Sequence, residues 1–269
     1  MRDQSKITSI ARGLTEWADR PANARFLGTE QQRVLEEHGD GPQAPVAAWM
    51  LGTWRLGHGF ARVLRGEVRG FDEARTGQAL RRCSLLLRDR SRQRDRRQAA
   101  DLPFSVPQLA MTALLGLALD DPGGEPVYDA LTALPDRAFQ GQDELALFAR
   151  ELVRLRNGQR GTIPPQLGEY REVLLHWQGD DHVLALRLAA MLDRHLRGVE
   201  RSGSLFEDPS SRLYPVEALA VRNVRRWLEL KTPKIDHALM FTNLATMRPK
   251  EEWPQDPLVR QLERRTRQR

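Results

Sequence analysis

Apolar side chains in this chain recur at intervals of three and four residues, and this helical period is the feature that most restricts its fold. Leu167, Tyr170, Leu174 and Trp177 follow one another at spacings of three, four and three, which places all four on one side of an α-helix. The alternation of apolar and polar β-branched residues that is typical of strands is not found in the sequence. The sequence therefore predicts an all-α protein.

Proline, glycine and capping residues divide the sequence into ten to twelve predicted helices. Thr29 and Gln32 have the spacing of a capping box, and Ser105 with Pro107 opens a helix that is apolar almost all round. The connections between the predicted helices are short, and short connections favour antiparallel neighbours. We therefore expect an irregular array of antiparallel helical hairpins, bundle-like or repeat-like in arrangement.

Three of these helices belong to the stretch from Leu167 to Met247 and the prolines directly before it. The first starts at Pro164 and is stopped by Gly179, and Asp180 or Asp181 caps the second. The second helix is expected to lie between neighbours because it is apolar around most of its circumference; its apolar residues are Val183, Leu184, Leu186, Leu188, Met191, Leu192 and Leu196. The third starts at Pro215 and ends near Lys231, after a polar loop or lid over residues 201–212.

Several glycines lie on the helix that is predicted to begin at Pro45. Glycine inside a helix costs about 1 kcal/mol relative to alanine. Gly52, Gly57 and Gly59 on one helix therefore indicate either a close approach to a neighbouring backbone or a break near Gly57. We favour close packing.

The length of 269 residues suits one helical domain over residues 1–250, with possible parts 1–100 and 105–250. The basic, polar tail 251–269 is expected to be partly loose. The longest apolar run, Leu109 to Leu119, is shorter than the roughly 20 residues that a bilayer span needs, so we expect no contact with a membrane. A start without a signal-peptide core and a single cysteine, Cys83, predict a protein of the reducing cytoplasm.

A run of arginines between Arg88 and Gln98 is the clearest charged segment. The net charge is +6, and clustered positive charge is what phosphate binding requires. Asp89 and Asp95 interrupt this run, however, and no aromatic side chains are interleaved for base stacking. We interpret the segment as a solvated helical face and keep nucleic-acid binding as the weaker alternative.

The residues around Gly179 are the best candidates for chemistry. His176, Asp180, Asp181 and His182, with His195 further along, are of types that bind divalent metals, but their spacing matches no ligand pattern and the aspartates are needed as caps. Cysteine on the inner face of a helix is usually an inert core residue. We predict no metal, no cofactor and no catalytic residues, and therefore a protein that is not an enzyme.

From Glu169 onward the layout resembles the helical immunity proteins that bacteria encode beside polymorphic or type VI secreted toxins, in particular the immunity protein 49 family. Three passages carry the resemblance. They are the helix pair around Gly179-Asp180-Asp181 with Leu184, Leu188 and His195; Leu213-Tyr214-Pro215-Val216-Glu217-Ala218-Leu219-Ala220; and Ile235-Asp236-His237-Ala238-Leu239-Met240. Ala238 stands where the family pattern has proline.

The resemblance implies an inhibitor that covers the active site of a cognate toxin or holds the toxin closed. Tight complexes of this kind bury about 1,600 Å² and depend on a few anchor residues. The contact segments predicted here are the arginine run and the loop before Pro215; their residues are Arg90, Arg92, Arg94, Arg96, Arg97, Phe206, Glu207 and Asp208. A helical scaffold or adaptor with another protein partner is the competing interpretation.

Overall fold

The computed structural model describes residues 2–39, 41–94, 105–141, 144–159, 161–201, 206, 208–246 and 252–267. Within these residues there are twelve α-helical segments, eleven of them at least seven residues long, and no strand, which confirms the all-α prediction. The helices are α1 Arg2–Asp19, α2 Pro21–Asn23, α3 Glu30–His38, α4 Ala44–Leu64, α5 Gly70–Arg94, α6 Val106–Leu119, α7 Glu125–Thr132, α8 Glu144–Arg156, α9 Glu169–Leu175, α10 Asp181–Gly198, α11 Val216–Trp227 and α12 Pro257–Arg267.

α4 and α5 form an antiparallel hairpin in which the two backbones touch. A Cβ atom placed on Gly59 would lie 2.5 Å from the carbonyl oxygen of Gly70 and 2.7 Å from the nitrogen of Ala74. One placed on Gly52 would lie 2.8 Å from the carbonyl oxygen of Gly77. α4 continues through Gly57 without a break, so the prediction of close packing is confirmed.

α5 is the central helix, and every side chain from Ala74 to Leu85 is buried, including three arginines. Arg81 lies 3.3 Å from Asp208 and stacks on the ring of Trp49. Arg82 lies 3.3 Å from Asp121 and 2.6 Å from Glu263. Because a buried charge is tolerated only when it is paired, these acids from distant parts of the chain allow α5 to be buried from Ala74 to Leu85.

α6 runs through the core, as its apolar sequence predicts. The Ser105 hydroxyl accepts a hydrogen bond from the nitrogen of Gln108 and caps the helix start, and Asp120 ends the helix in the left-handed region at φ 59°. Between Leu109 and Leu119 every residue is buried, and the helix packs on α5, α7, α8 and α11. α6 thus joins the N-terminal and C-terminal halves in one core.

Three predicted helix boundaries are wrong, and the simplest case is α11, which ends at Trp227, four residues before the predicted end near Lys231. Thr29 makes no cap, because a π-helical turn from Ala24 to Thr29 runs directly into α3, with Gly28 packed on Trp54. The helix predicted from Pro164 to Gly179 is interrupted at Gly168, whose φ of +53° separates a 3₁₀ turn, Pro165–Leu167, from α9. The expected buried face survives this interruption, since Leu167, Tyr170, Leu174 and Trp177 are all buried.

α10 begins where the sequence predicts. The Asp180 carboxylate accepts hydrogen bonds from the nitrogens of His182 at 2.8 Å and Val183 at 3.0 Å. The prediction that α10 is enclosed by neighbours is wrong, because the side chain of Leu186 is 57% exposed. α10 is an amphipathic surface helix.

The C-terminal segment is also better packed than the sequence suggests. α12 buries Leu258, Val259 and Leu262 against α5, so the expectation of a loose tail is wrong for residues 252–267. The buried apolar residues form a continuous cluster from Ile7 to Leu262. None of the described helices combines the length and the apolar character that a bilayer span requires.

Candidate partner-binding cleft

A cleft of about 200 Å³ lies between α8, α9 and the irregular segment that connects them. Leu174 and Trp177 form its buried floor, and the half-buried Leu155 and Ile163 form its sides. The rim is formed by Gln159, Gly161, Leu175 and Gln178, all of them exposed. This cleft, called the α8–α9 cleft below, is therefore apolar inside and polar at most of its edge.

The floor of the α8–α9 cleft is fixed by a buried arginine of α11. The Arg225 guanidinium donates to the carbonyl oxygen of Trp177 and to that of Lys231, and it lies 5.6 Å from the Trp177 ring centre. Burial lowers the pKa of Arg225, an effect that Asp181 partly opposes. Arg225 therefore holds Trp177 through the backbone carbonyl of this residue, which lies two residues beyond the end of α9.

The α8 wall of the cleft is held by ion pairs. Glu151, whose side chain is 9% exposed, lies 3.1 Å from Arg150 and 3.0 Å from Arg154. The Glu151 carboxylate is thereby paired with two guanidinium groups at the edge of an apolar site. The wall is therefore formed before any partner binds.

A second cleft of about 430 Å³ lies on the other side of the connecting segment and is more polar. Pro164 and Gln166 line it, as do Arg150 and Asp136, which are 2.7 Å apart. The hydrogen bond from Arg150 lowers the pKa of Asp136. The Arg150 guanidinium also stacks on Phe139 at 4.4 Å, so the charged groups of this cleft, Arg150 and Asp136, are engaged with each other and with its wall.

The histidines singled out in the sequence do not come together. His195 is fully buried, with Nδ1 2.7 Å from Glu217 Oε2 and Nε2 3.0 Å from the carbonyl oxygen of Arg212. His176 instead lies 3.9 Å from Glu172, and His182 is exposed at the start of α10. Among the residues placed by the structure, no group of three or more His, Cys, Asp or Glu side chains is arranged to hold a metal ion.

Cys83 lies in the interior beside α12. Burial raises the pKa of its thiol to about 12, while the charge of Arg82 acts in the opposite direction. The thiol is fully buried as well. It is therefore a protonated packing group at neutral pH, as its position on the inner face of the helix predicts.

The predicted contact residues come from two separate segments, the end of α5 and the loop before Pro215. Arg90, Arg92 and Arg94 belong to the last turns of α5, whereas Arg96, Arg97 and Glu207 lie outside the described residues. Phe206 is 3% exposed and packs on the His195 ring at 4.0 Å. Asp208 pairs with Arg81 and accepts from the Ser210 hydroxyl at 2.6 Å. Phe206 and Asp208 thus contact the core from the predicted lid, whereas Arg201 at its start is exposed, and a partner-binding role for the predicted contact residues stays a prediction.

The passages that carry the family resemblance are packing elements. Tyr214 stacks on Phe60 at 4.4 Å, and its hydroxyl donates to the carbonyl oxygen of Ala118 at the end of α6. His237 caps the 3₁₀ turn Ala238–Phe241 by accepting from the Leu239 nitrogen at 3.2 Å. The peptide at Ala238 is thus held by a side-chain cap at the position where the family pattern has proline.

The sequence did not point to the α8–α9 cleft. Its residues come from α8, α9 and an irregular connection, and only the buried face of the α9 segment was predicted. A usable signal was Ile163, a single apolar residue in a stretch of glycine, threonine and proline. An isolated apolar residue of this kind is expected to pack against other apolar side chains, and Ile163 packs against the hydrophobic core as one side of the cleft.

Comparison of the chain with protein-family models, with curated proteins and with solved structures gave no match. The resemblance to the immunity proteins stays a prediction from the sequence.

Proposed function

We propose that this chain is an immunity protein that binds and neutralises a cognate secreted toxin through protein–protein contact, with the α8–α9 cleft as an anchor point. The observation that carries the proposal is the apolar cleft with the exposed Leu175 at its rim. The family resemblance supplies the identity of the partner, and the cleft supplies a place for it to bind. The reducing cytoplasm of the producing cell is the proposed place of action.

The size of the cleft fits one apolar side chain. A volume of about 200 Å³ is somewhat larger than the roughly 150 Å³ of a cavity that accepts benzene. A leucine, methionine or phenylalanine from a toxin loop would therefore fill it. Anchor residues that enter well-packed pockets of this kind carry most of the binding energy in protein complexes.

The cleft is also suited to tight binding because its walls are already ordered. Arg225 fixes the floor at Trp177, and Arg150 with Arg154 fixes Glu151. Binding to a preformed site avoids the entropy cost of ordering side chains and loops. The polar rim of Gln159 and Gln178 can donate and accept hydrogen bonds around the inserted side chain.

Co-expression with the protein encoded by the neighbouring gene tests the proposal. The intact chain is expected to restore growth of cells that produce this protein, and the Leu175→Arg variant is expected to restore it poorly. Val68→Arg is the matched control, because Val68 is 76% exposed and lies away from the cleft, between α4 and α5. Failure of the intact chain to restore growth would refute the proposed function, and equal rescue by both variants would remove the cleft from it.

A further inference from the structure

α12 is a rigid platform on the surface of the core. The Asp256 carboxylate accepts from the nitrogens of Leu258 at 2.9 Å and Val259 at 3.2 Å, which caps the helix start. The same carboxylate lies 2.5 Å from Arg55 of α4. With Leu262 fully buried, the helix is held at its beginning and along its inner face.

The outer face of α12 is basic. Arg260, Arg264 and Arg267 follow at spacings of four and three, are all exposed, and extend over about 10 Å at a rise of about 1.5 Å per residue. In the part of the chain that the structure describes, none of the three has an ion-pair partner. The acidic residue of α12, Glu263, points inward and lies 2.6 Å from Arg82. We call the three arginines the α12 stripe.

Two features around the stripe favour a protein segment over nucleic acid. Arg265 contacts Gly39, so α12 lies beside the end of α3, where Glu36 and Glu37 are exposed. These carboxylates repel a long polyanion, such as a duplex, that extends past the stripe. The α12 sequence, PLVRQLERRTR, has no aromatic side chain on which bases can stack.

We propose that the α12 stripe docks an acidic helix of the partner protein, one with carboxylates repeated at intervals of three and four residues. The inference rests on the proposed function and names the chemistry of the toxin surface that meets this chain outside the α8–α9 cleft. A carboxylate ladder at this spacing faces all three guanidinium groups at once. Pairing of opposite charges across an interface also speeds association and sets the register of the two surfaces.

A synthetic partner tests this inference without the toxin. The probe is a fluorescently labelled, alanine-based helical peptide with glutamate at spacings of four and three. The control peptide carries glutamine at the same positions. The triple variant R260E/R264E/R267E is compared with R12E/R20E/R69E, which reverses three exposed arginines elsewhere. Each reversal removes two charge units, so both variants change the net charge from +6 to zero.

The intact chain is expected to bind the glutamate peptide and not the glutamine peptide at low salt, with an affinity that falls as salt rises. Reversal of the α12 stripe is expected to weaken binding about tenfold, or about 1.4 kcal/mol, since three exposed ion pairs are lost and each contributes only part of this. The control is expected to stay within about twofold of the intact chain.

Three results would overturn the inference. They are no binding of the glutamate peptide, an equal loss in both triple variants, and tighter binding of a 20-base-pair DNA duplex with the same dependence on the stripe. None of the three bears on growth rescue through the α8–α9 cleft, so failure of the docking inference is distinguishable from failure of the proposed function.

Discussion

The α4–α5 hairpin makes a prediction that opposes ordinary helix propensity. Replacing a helical glycine with alanine normally stabilises a helix by about 1 kcal/mol. At Gly59 the new Cβ would lie 2.5 Å from the Gly70 oxygen and 2.7 Å from the Ala74 nitrogen, and both atoms belong to backbone that cannot rotate away. The hairpin must therefore separate, and overpacking of this kind costs about 1–3 kcal/mol. With the cost near its upper end, Gly59→Ala is expected to lower the free energy of unfolding by about 2 kcal/mol.

Gly13→Ala is the matched control. Gly13 lies within α1, and a Cβ placed there would meet nothing within 4 Å. The same chemical change is therefore expected to raise the free energy of unfolding by about 1 kcal/mol at this position. Both variants replace a helical glycine with alanine, and they differ only in the atoms that surround the new Cβ.

Urea denaturation followed by circular dichroism at the helical band measures both variants, and a thermal scan adds a second reading. For a chain of this size, about 2 kcal/mol corresponds to a decrease in Tm of roughly 4–8 °C for Gly59→Ala. A Gly59→Ala variant as stable as the unmodified chain, or more stable, would refute the close contact between α4 and α5.

Other contacts in the core lead to three further predictions. Glu217→Leu leaves the fully buried His195 and the Tyr170 hydroxyl without their carboxylate partner, and we expect thermal denaturation to show a loss of about 3 kcal/mol or more. Leu262→Ala is expected to cost about 2–5 kcal/mol in urea denaturation and to make α12 accessible to protease, whereas unchanged proteolysis would argue against its packing on α5. Burial of Glu73 acts to raise its pKa, but hydrogen bonds from His58 and Arg62 lower it below the ordinary 4.5. The stabilisation is therefore present above pH 4.5 and lost as the pH falls through the lowered pKa, so Glu73→Gln is expected to flatten this acid limb of a stability–pH profile.

Local signals were sufficient where a helix is capped or packed by its own sequence. The Ser105 cap, the Asp180 cap and the buried character of α6 were predicted because each depends on residues close together in the chain. The close packing of glycines in α4 was predictable for a similar reason, since glycine in a helix is costly unless a neighbour requires it. Helix number and fold class followed from these features.

Long-range pairing was not predictable from the sequence. The burial of Arg82 depends on Asp121 and Glu263, which lie 39 and 181 residues away in the chain. The order of the C-terminal segment depends on long-range contacts as well, because Glu263 of α12 pairs with Arg82 of α5 and Leu262 is buried in the core. From sequence alone, an arginine-rich helix is expected to face solvent, because the acidic residues that allow its arginines to be buried are far away in the chain.

The candidate site was not predictable from the sequence either, because its residues are brought together only by the fold. The α8–α9 cleft is assembled from the ends of two helices and an irregular connection that includes Ile163. The polar sequence of the loop around Phe206 predicts a contact surface, yet Phe206 packs on His195 inside the protein. Polarity of a segment predicts exposure on average and does not predict which of its side chains turns inward.

The central claim is that the α8–α9 cleft receives a side chain of the toxin, and calorimetric titration with the protein encoded by the neighbouring gene tests it most directly. Gly161→Phe places a bulky ring at the rim of the cleft to obstruct its entrance, and the fold accommodates the substitution because a Cβ at Gly161 meets no atom within 4 Å. Loss of a central anchor costs about 2 kcal/mol or more, so we predict an affinity at least about 30-fold weaker at unchanged thermal stability. Binding of equal affinity by the intact chain and by Gly161→Phe would contradict the account.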